Sequence, residues 1–157
     1  MSSNGFSQHD HSSCVAKAMQ AAEEHCARAK LQFTPARRAA LNILLSEHKA
    51  MGAYDMLAKL DVLGLGSAPP VAYRALDFLV SNGFAHKINT LNAYIACAHP
   101  GEDHDPAFMI CTACDAVSEA ATDPKAGQLG RAARAAGFQI KTAVLEAEGL
   151  CPACKTT

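Results

Sequence analysis

Tryptophan is absent from this 157-residue chain, and three tyrosines and six phenylalanines supply all of its aromatic side chains. Half of the residues are hydrophobic, but many of these are alanine. A core built from small side chains is marginal at this length, so metal ligation and self-association are expected as further sources of stability. No stretch is long or apolar enough to span a bilayer, and the N-terminal run MSSNGFSQHDHSSC lacks the apolar segment of a secretory signal. Both absences predict a cytoplasmic protein, in a reducing compartment where grouped cysteines are more often metal ligands than disulfides. Net charge is also small, −1 at neutral pH. Residues 1–93 carry nine Lys/Arg against seven Asp/Glu, and residues 94–157 carry five against eight. So mild an asymmetry supports a nucleic-acid face only weakly. The sequence shows no phosphate loop and no Ser/His/Asp arrangement, and neither CxxC pair follows a βαβ pattern. These absences argue against an enzyme.

Cysteine, by contrast, is plentiful. Cys111-Thr-Ala-Cys114 and Cys151-Pro-Ala-Cys154 are two CxxC pairs separated by 36 residues. One such turn holds two sulfurs close enough to share an ion, and two turns complete the four-thiolate tetrahedron of structural zinc. The gap exceeds that of a zinc ribbon, so a small domain must fold between the pairs to bring them together. The alternatives are a pair of disulfides or one redox dithiol.

The length suits one ordinary domain or two small ones. Residues 1–13 are rich in Ser, His and Asn and are predicted to be disordered, with His9, His11 and Cys14 as a possible minor metal cluster. Helical periodicity follows from Val15 to about Lys30. Thr34-Pro35 reads as an N-cap and first helical position, opening a second helix to about Glu47. A third short helix covers residues 53–60, and a fourth, introduced by Ser67, Pro69 and Pro70, runs from Val71 to Ser81 and stops at Asn82-Gly83. The period then changes to alternation at Phe84–Ile88 and Ala93–Cys97, which is a hairpin. Helices followed by a two-stranded hairpin form the element order of a winged helix-turn-helix, in which the fourth helix enters the major groove.

A hinge or linker is expected at 98–106. Beyond it, residues 107–157 predict two strands (107–111 and 117–121), a helix N-capped by Asp123 before Pro124, and a last strand from Phe138 to Glu146. The predicted class is therefore α+β: a winged-helix DNA-binding domain at 14–97 and a small α/β dimerisation and metal-binding domain at 107–157.

With the segments placed, the chain resembles the ferric uptake regulator family, and within it the zinc uptake regulator branch. The residues carrying the resemblance are Phe33-Thr-Pro-Ala-Arg37, Ala53-Tyr-Asp55, the run from Pro69 to Leu79, Gly83-Phe-Ala-His-Lys87, and Phe108-Met-Ile-Cys111-x-x-Cys114 with the distal Cys151-x-x-Cys154. The resemblance implies a homodimeric, zinc-responsive repressor of zinc uptake genes that binds palindromic, AT-rich operators, with zinc as co-repressor. Two departures stand out: Val71 and Ala72 occupy positions where the family has Thr and Val, and Ala68 one that is often basic. The loss of a basic side chain weakens non-specific attraction by about one counterion of salt slope. Arg74 is the candidate for base contact, with Tyr54, Arg37 and Tyr73 contacting neighbouring bases or phosphates.

A second metal site is predicted at the hairpin. If Ile88 pairs with Ile95, His86 lies opposite Cys97 with Cβ atoms about 5 Å apart. His104 in the linker and Glu119 are the nearest further ligands, and His99 is an alternative. By resemblance, His86, Cys97, His104 and Glu119 match the regulatory zinc site, which brings the expected content to two ions per monomer. One thiolate, two imidazoles and one carboxylate suit zinc better than iron. Iron- or peroxide-responsive regulation is the competing reading.

Overall fold

The computed structural model describes residues 6, 11–47 and 49–155. The chain divides into two units that part between Gly101 and Glu102, inside the expected linker. In the first, α1 (His11–Arg28) begins ahead of the predicted Val15 and so takes up the end of the segment expected to be disordered. The rest of the N-terminal cluster expectation falls elsewhere: His9 and the side chain of His11 lie outside the described residues, and Cys14 is exposed on α1. Then come α2 (Pro35–Ser46), α3 (Ala53–Val62) and α4 (Pro69–Ser81). Thr34 is extended and its Oγ1 accepts the Arg37 N–H at 3.4 Å, so the Thr-Pro start of α2 is a true N-cap. No side chain caps α4; Pro69 and Pro70 fill its first turn, where a missing N–H costs nothing and a fixed φ favours the helix.

The apolar stripes of these helices converge. Leu41 and Leu44 of α2, Met56 and Leu60 of α3, and Leu76 and Leu79 of α4 are all at most 2% exposed, in one cluster with Ala22 and Cys26 of α1. Each such leucine contributes about 1.5–3 kcal/mol by leaving water. The hairpin, β1 (Ala85–Ile88) and β2 (Ala93–Ala96), follows α4. Met51 and Tyr94 exchange both backbone hydrogen bonds at 2.8 Å, so the segment leading into α3 lies along β2.

The register differs from the expected one. His86 pairs with Ile95 and Ile88 with Ala93, while the Cys97 N–H bonds the Phe84 carbonyl at 2.9 Å. His86 is therefore diagonal to Cys97, two residues along, rather than directly opposite it. A shift of two keeps both residues on one face, and diagonal neighbours about 7–8 Å apart remain within reach of long side chains.

The second unit is a three-stranded sheet in the order β4-β3-β5, built from β3 (Asp105–Cys111), β4 (Val117–Thr122) and β5 (Leu145–Gly149), with α5 (Gln128–Ala135) between β4 and β5. β3 runs antiparallel to β4 and parallel to β5. Three expectations are corrected here. β3 starts at Asp105 and so claims the end of the expected linker. Asp123 does not cap a helix: its Oδ1 accepts the N–H groups of Lys125 and Ala126 in a turn, and α5 starts later, with Gly127 at its N-cap. The last strand begins at Leu145, not Phe138, because the chain must first cross from β4 past β3 to the opposite edge before it can pair in parallel.

Gly130 fixes how closely α5 approaches the turn before it. A Cβ there would lie 1.8 Å from the Lys125 carbonyl oxygen, and the Gly130 N–H bonds the Pro124 carbonyl at 2.9 Å. Gly130→Ala is thus expected to destabilise the unit by about 1–3 kcal/mol through overpacking, despite alanine's better helix propensity. Thermal denaturation checks this, and an unchanged or raised melting temperature would show that the turn yields freely.

Candidate metal centre and nucleic-acid face

The parallel pairing of β3 with β5 determines where the cysteines meet. Cys111 ends β3 opposite Gly149, the last residue of β5. Past that pair, the Thr112 N–H and hydroxyl both reach the Gly149 carbonyl, at 2.9 and 3.2 Å. The turn carrying Cys114 closes when the Asp115 N–H bonds the Cys111 carbonyl at 3.0 Å, with Asp115 in the left-handed region at φ 61°. On the other side, Pro152 opens the short α6 (Pro152–Lys155), and the N–H groups of Cys154 and Lys155 converge on the Cys151 carbonyl at 3.0 and 2.9 Å.

All four sulfurs lie within 4.8 Å of one another, and those of Cys114 and Cys151 are 3.8 Å apart. A tetrahedron with Zn–S bonds of about 2.3 Å has sulfur–sulfur edges of about 3.8 Å, whereas a disulfide needs about 2.05 Å. The spacing fits a shared ion and not a covalent pair.

The protons agree with this. The Cys111 thiol is lowered to about 6, chiefly because the Cys151 N–H donates to its sulfur at 3.3 Å. The Cys154 thiol is pushed up to about 12, first by its hydrogen bond to the Cys151 sulfur and then by those to Cys114 and Cys111. Cys111 ionises readily while Cys114 and Cys154 hold their protons, and a divalent cation would offset the repulsion between clustered thiolates. Replacing Cys114 with serine is expected to remove one zinc equivalent per chain and to melt the C-terminal unit, since such sites carry about 10 kcal/mol of coupled binding and folding. Metal analysis with a melting curve tests it; full metal content and an unchanged melting temperature would rule out the four-sulfur site.

In the C-terminal unit, the His104 Nε2 lies 2.7 Å from Glu119 Oε1 on β4, and Nδ1 lies 2.8 Å from the Glu102 carbonyl. Burial opposes protonation of this imidazole, but the Glu102 carbonyl and the Glu119 carboxylate outweigh it, so its pKa is raised. In the N-terminal unit, His86 and Cys97 share one face of the hairpin, and the His99 N–H donates to the Cys97 sulfur at 3.4 Å. His99 thus serves that sulfur through its backbone.

On α4, Tyr73 and Arg74 are exposed while Ala72, Ala75 and Leu76 are buried, so the helix shows solvent the stripe a groove would meet. Tyr54 on α3 is 69% exposed. Val71 packs toward the α3–α4 turn, where a Cβ on Gly66 would come within 2.8 Å of it. The family's hydroxyl is missing from a position this chain spends on packing. Arg37 is half-buried: its Cζ lies 3.9 Å from the centroid of the Phe78 ring, and Nη1 donates to the Gln32 carbonyl. Nothing in the residue pattern announced that stack, because residues 37 and 78 belong to different helices.

The chain thus carries a helix-turn-helix with a hairpin wing and a second unit that gathers four thiols. No protein-family model matches the sequence. Curated proteins do: the zinc uptake regulation proteins of Escherichia coli (strain K12) and Shigella flexneri are each 37% identical over 134 residues, covering 85% of this chain and 78% of theirs. Among solved structures, a zinc uptake regulator complexed with zinc and DNA superposes with a TM-score of 0.84 at 34% identity, covering 90% of this chain and 95% of that one. Holo XcZur superposes with a TM-score of 0.76 at 38% identity, covering 88% and 97%. The chain belongs to the zinc uptake regulator family. A ferric uptake regulator from Helicobacter pylori shares the fold alone, at 14% identity and a TM-score of 0.56.

Proposed function

We propose that this chain is a zinc-responsive, DNA-binding transcriptional repressor of zinc uptake genes, in which zinc acts as co-repressor. The likeness to a regulator complexed with zinc and DNA, at a TM-score of 0.84, carries the reading. The chain is a regulator, not an enzyme, as its relatives are. It works as a homodimer on a palindromic, AT-rich operator in the cytoplasm. Among the described residues no helix is long and apolar enough to cross a membrane. An open groove of about 540 Å³ between α5 and residues 138–144, lined by Leu129, Phe138, Ile140 and Val144, supports self-association through the C-terminal unit.

Each monomer takes two zinc ions. Cys111, Cys114, Cys151 and Cys154 hold the structural one, and His86, Cys97, His104 and Glu119 the regulatory one. Supporting the second set are the shared hairpin face of His86 and Cys97 and the direct bond between His104 and Glu119. A thiolate in the set favours zinc over the iron of the competing reading. The regulatory ion acts by selecting a DNA-competent arrangement, and moving such an equilibrium from 1:99 to 99:1 needs about 10⁴-fold tighter binding to the favoured state. Operator contact falls to Arg74, with Tyr54 and Tyr73 beside it.

Two predictions follow from this division. Cys97→Ser or His104→Ala is expected to keep the dimer and one zinc per chain while abolishing zinc-dependent operator binding, as measured by titrating operator binding against free zinc with iron and manganese as controls. Normal binding at low free zinc, or a monomeric variant, would reassign these residues. Arg74→Ala is expected to cost about 1–3 kcal/mol on the operator and little on random DNA. Equal losses on both would place Arg74 on the phosphate backbone.

A further inference from the structure

Arg37 carries the charge expected of a DNA contact, yet its guanidinium faces a neighbouring helix. Phe78, on which it stacks, lies four residues after Arg74 and therefore on the same stripe of α4. The Phe78 ring also stacks on Phe33, with centroids 6.4 Å apart and planes at 25°. Phe33 in turn receives the Arg38 guanidinium at 5.0 Å and touches Phe84 at 6.5 Å, and the His25 ring meets Phe84 edge-on at 5.4 Å. The row runs from α1 through the loop before α2 to α4 and the first step of the hairpin. Helices α1, α2 and α4 each contribute a side chain to it, and Phe84 joins it just before β1.

We propose that Arg37 is a positioning residue: stacked on Phe78 and tied to the Gln32 carbonyl, it fixes the rotation of α4 about its own axis and so the direction in which Arg74 is presented, without contacting DNA itself. This rests on the reading of α4 as the helix that enters the groove. The geometry is demanding. A rotation of about 20° moves a side chain 5–6 Å from the helix axis by about 2 Å, and a specific contact tolerates about 0.5 Å or 10–20°. Arginine suits the task because its flat, delocalised cation stacks on a ring while its fork holds a carbonyl; lysine keeps the charge but offers a strongly hydrated point that does neither as well. Charge and stacking can therefore be separated by substitution.

The test measures operator and random-DNA affinity of the zinc-loaded dimer across a range of salt. Arg37→Lys is expected to lose about tenfold on the operator and less than about twofold on random DNA, with the salt slope unchanged. Phe78→Leu, which has no charge to lose, is expected to reproduce that loss, and the double variant to be no weaker than either single one. Parent-like binding by Arg37→Lys, or a salt slope that falls by about one in Arg37→Ala, would make Arg37 a phosphate contact and overturn the proposal. So would full operator affinity in Phe78→Leu, or additive losses in the double variant. If Arg74→Ala itself binds the operator normally, the reading of α4 fails, whatever Arg37 shows.

Discussion

The C-terminal unit depends on one constraint, the parallel register of β3 against β5. Because Cys111 and Gly149 are partners, the two strands finish level, and the turns that leave them emerge side by side. Slipping that pairing by one residue would carry every β5 side chain to the other face and pull the turns apart. The backbone thus brings the sulfurs together, through the Cys151 N–H on the Cys111 sulfur and the Thr112 bonds to Gly149, before any ion contributes. An ion bound there acts on a gathered set of ligands, closing a loop of some 36 residues whose free closure would be entropically costly.

The N-terminal unit relies on a different economy. Its buried side chains are mainly Leu, Met and Ala on four helices, while Phe33, Phe78 and Phe84 form one row that Arg37 and Arg38 flank. Apolar burial holds the helices together without specifying their rotation closely, because leucines repack. Stacked planes and a forked cation are directional. Three of the chain's six phenylalanines stand in this directional row.

Much of this was legible in the sequence, and the failures have physical causes. Thr34-Pro35, the double proline at 69–70 and the stop at Asn82-Gly83 are local signals, and the helices they bound appear where they point. The hairpin was legible but its register was not. Side chains alternate with a period of two, so pairing Ile88 with Ile95 or with Ala93 buries the same faces, and only the four-residue turn at 89–92 decides between them. Asp123-Pro124 has the composition of a helix start, yet Asp123 serves a turn, because the close contact at Gly130 needs those residues outside the helix. The alternation from Phe138 onward looks like a strand, but ladder pairing with β3 begins only at Leu145, once the chain has crossed the sheet. The cysteine set was readable because ligand chemistry fixes both residue type and spacing. The Arg37–Phe78 stack was not, since it joins positions that only the fold brings together.

The double proline that opens α4 has one more effect. Helix N-termini commonly hold phosphate oxygens through their unbonded N–H groups. Pro69 and Pro70 remove two of these, and the Val71 N–H is already given to the Ala68 carbonyl at 2.9 Å. The dipole of α4 still draws anions toward its first turn, but that turn has almost no hydrogen to offer them. An anion is attracted to that end of the helix by charge, but the backbone there has little with which to hold it.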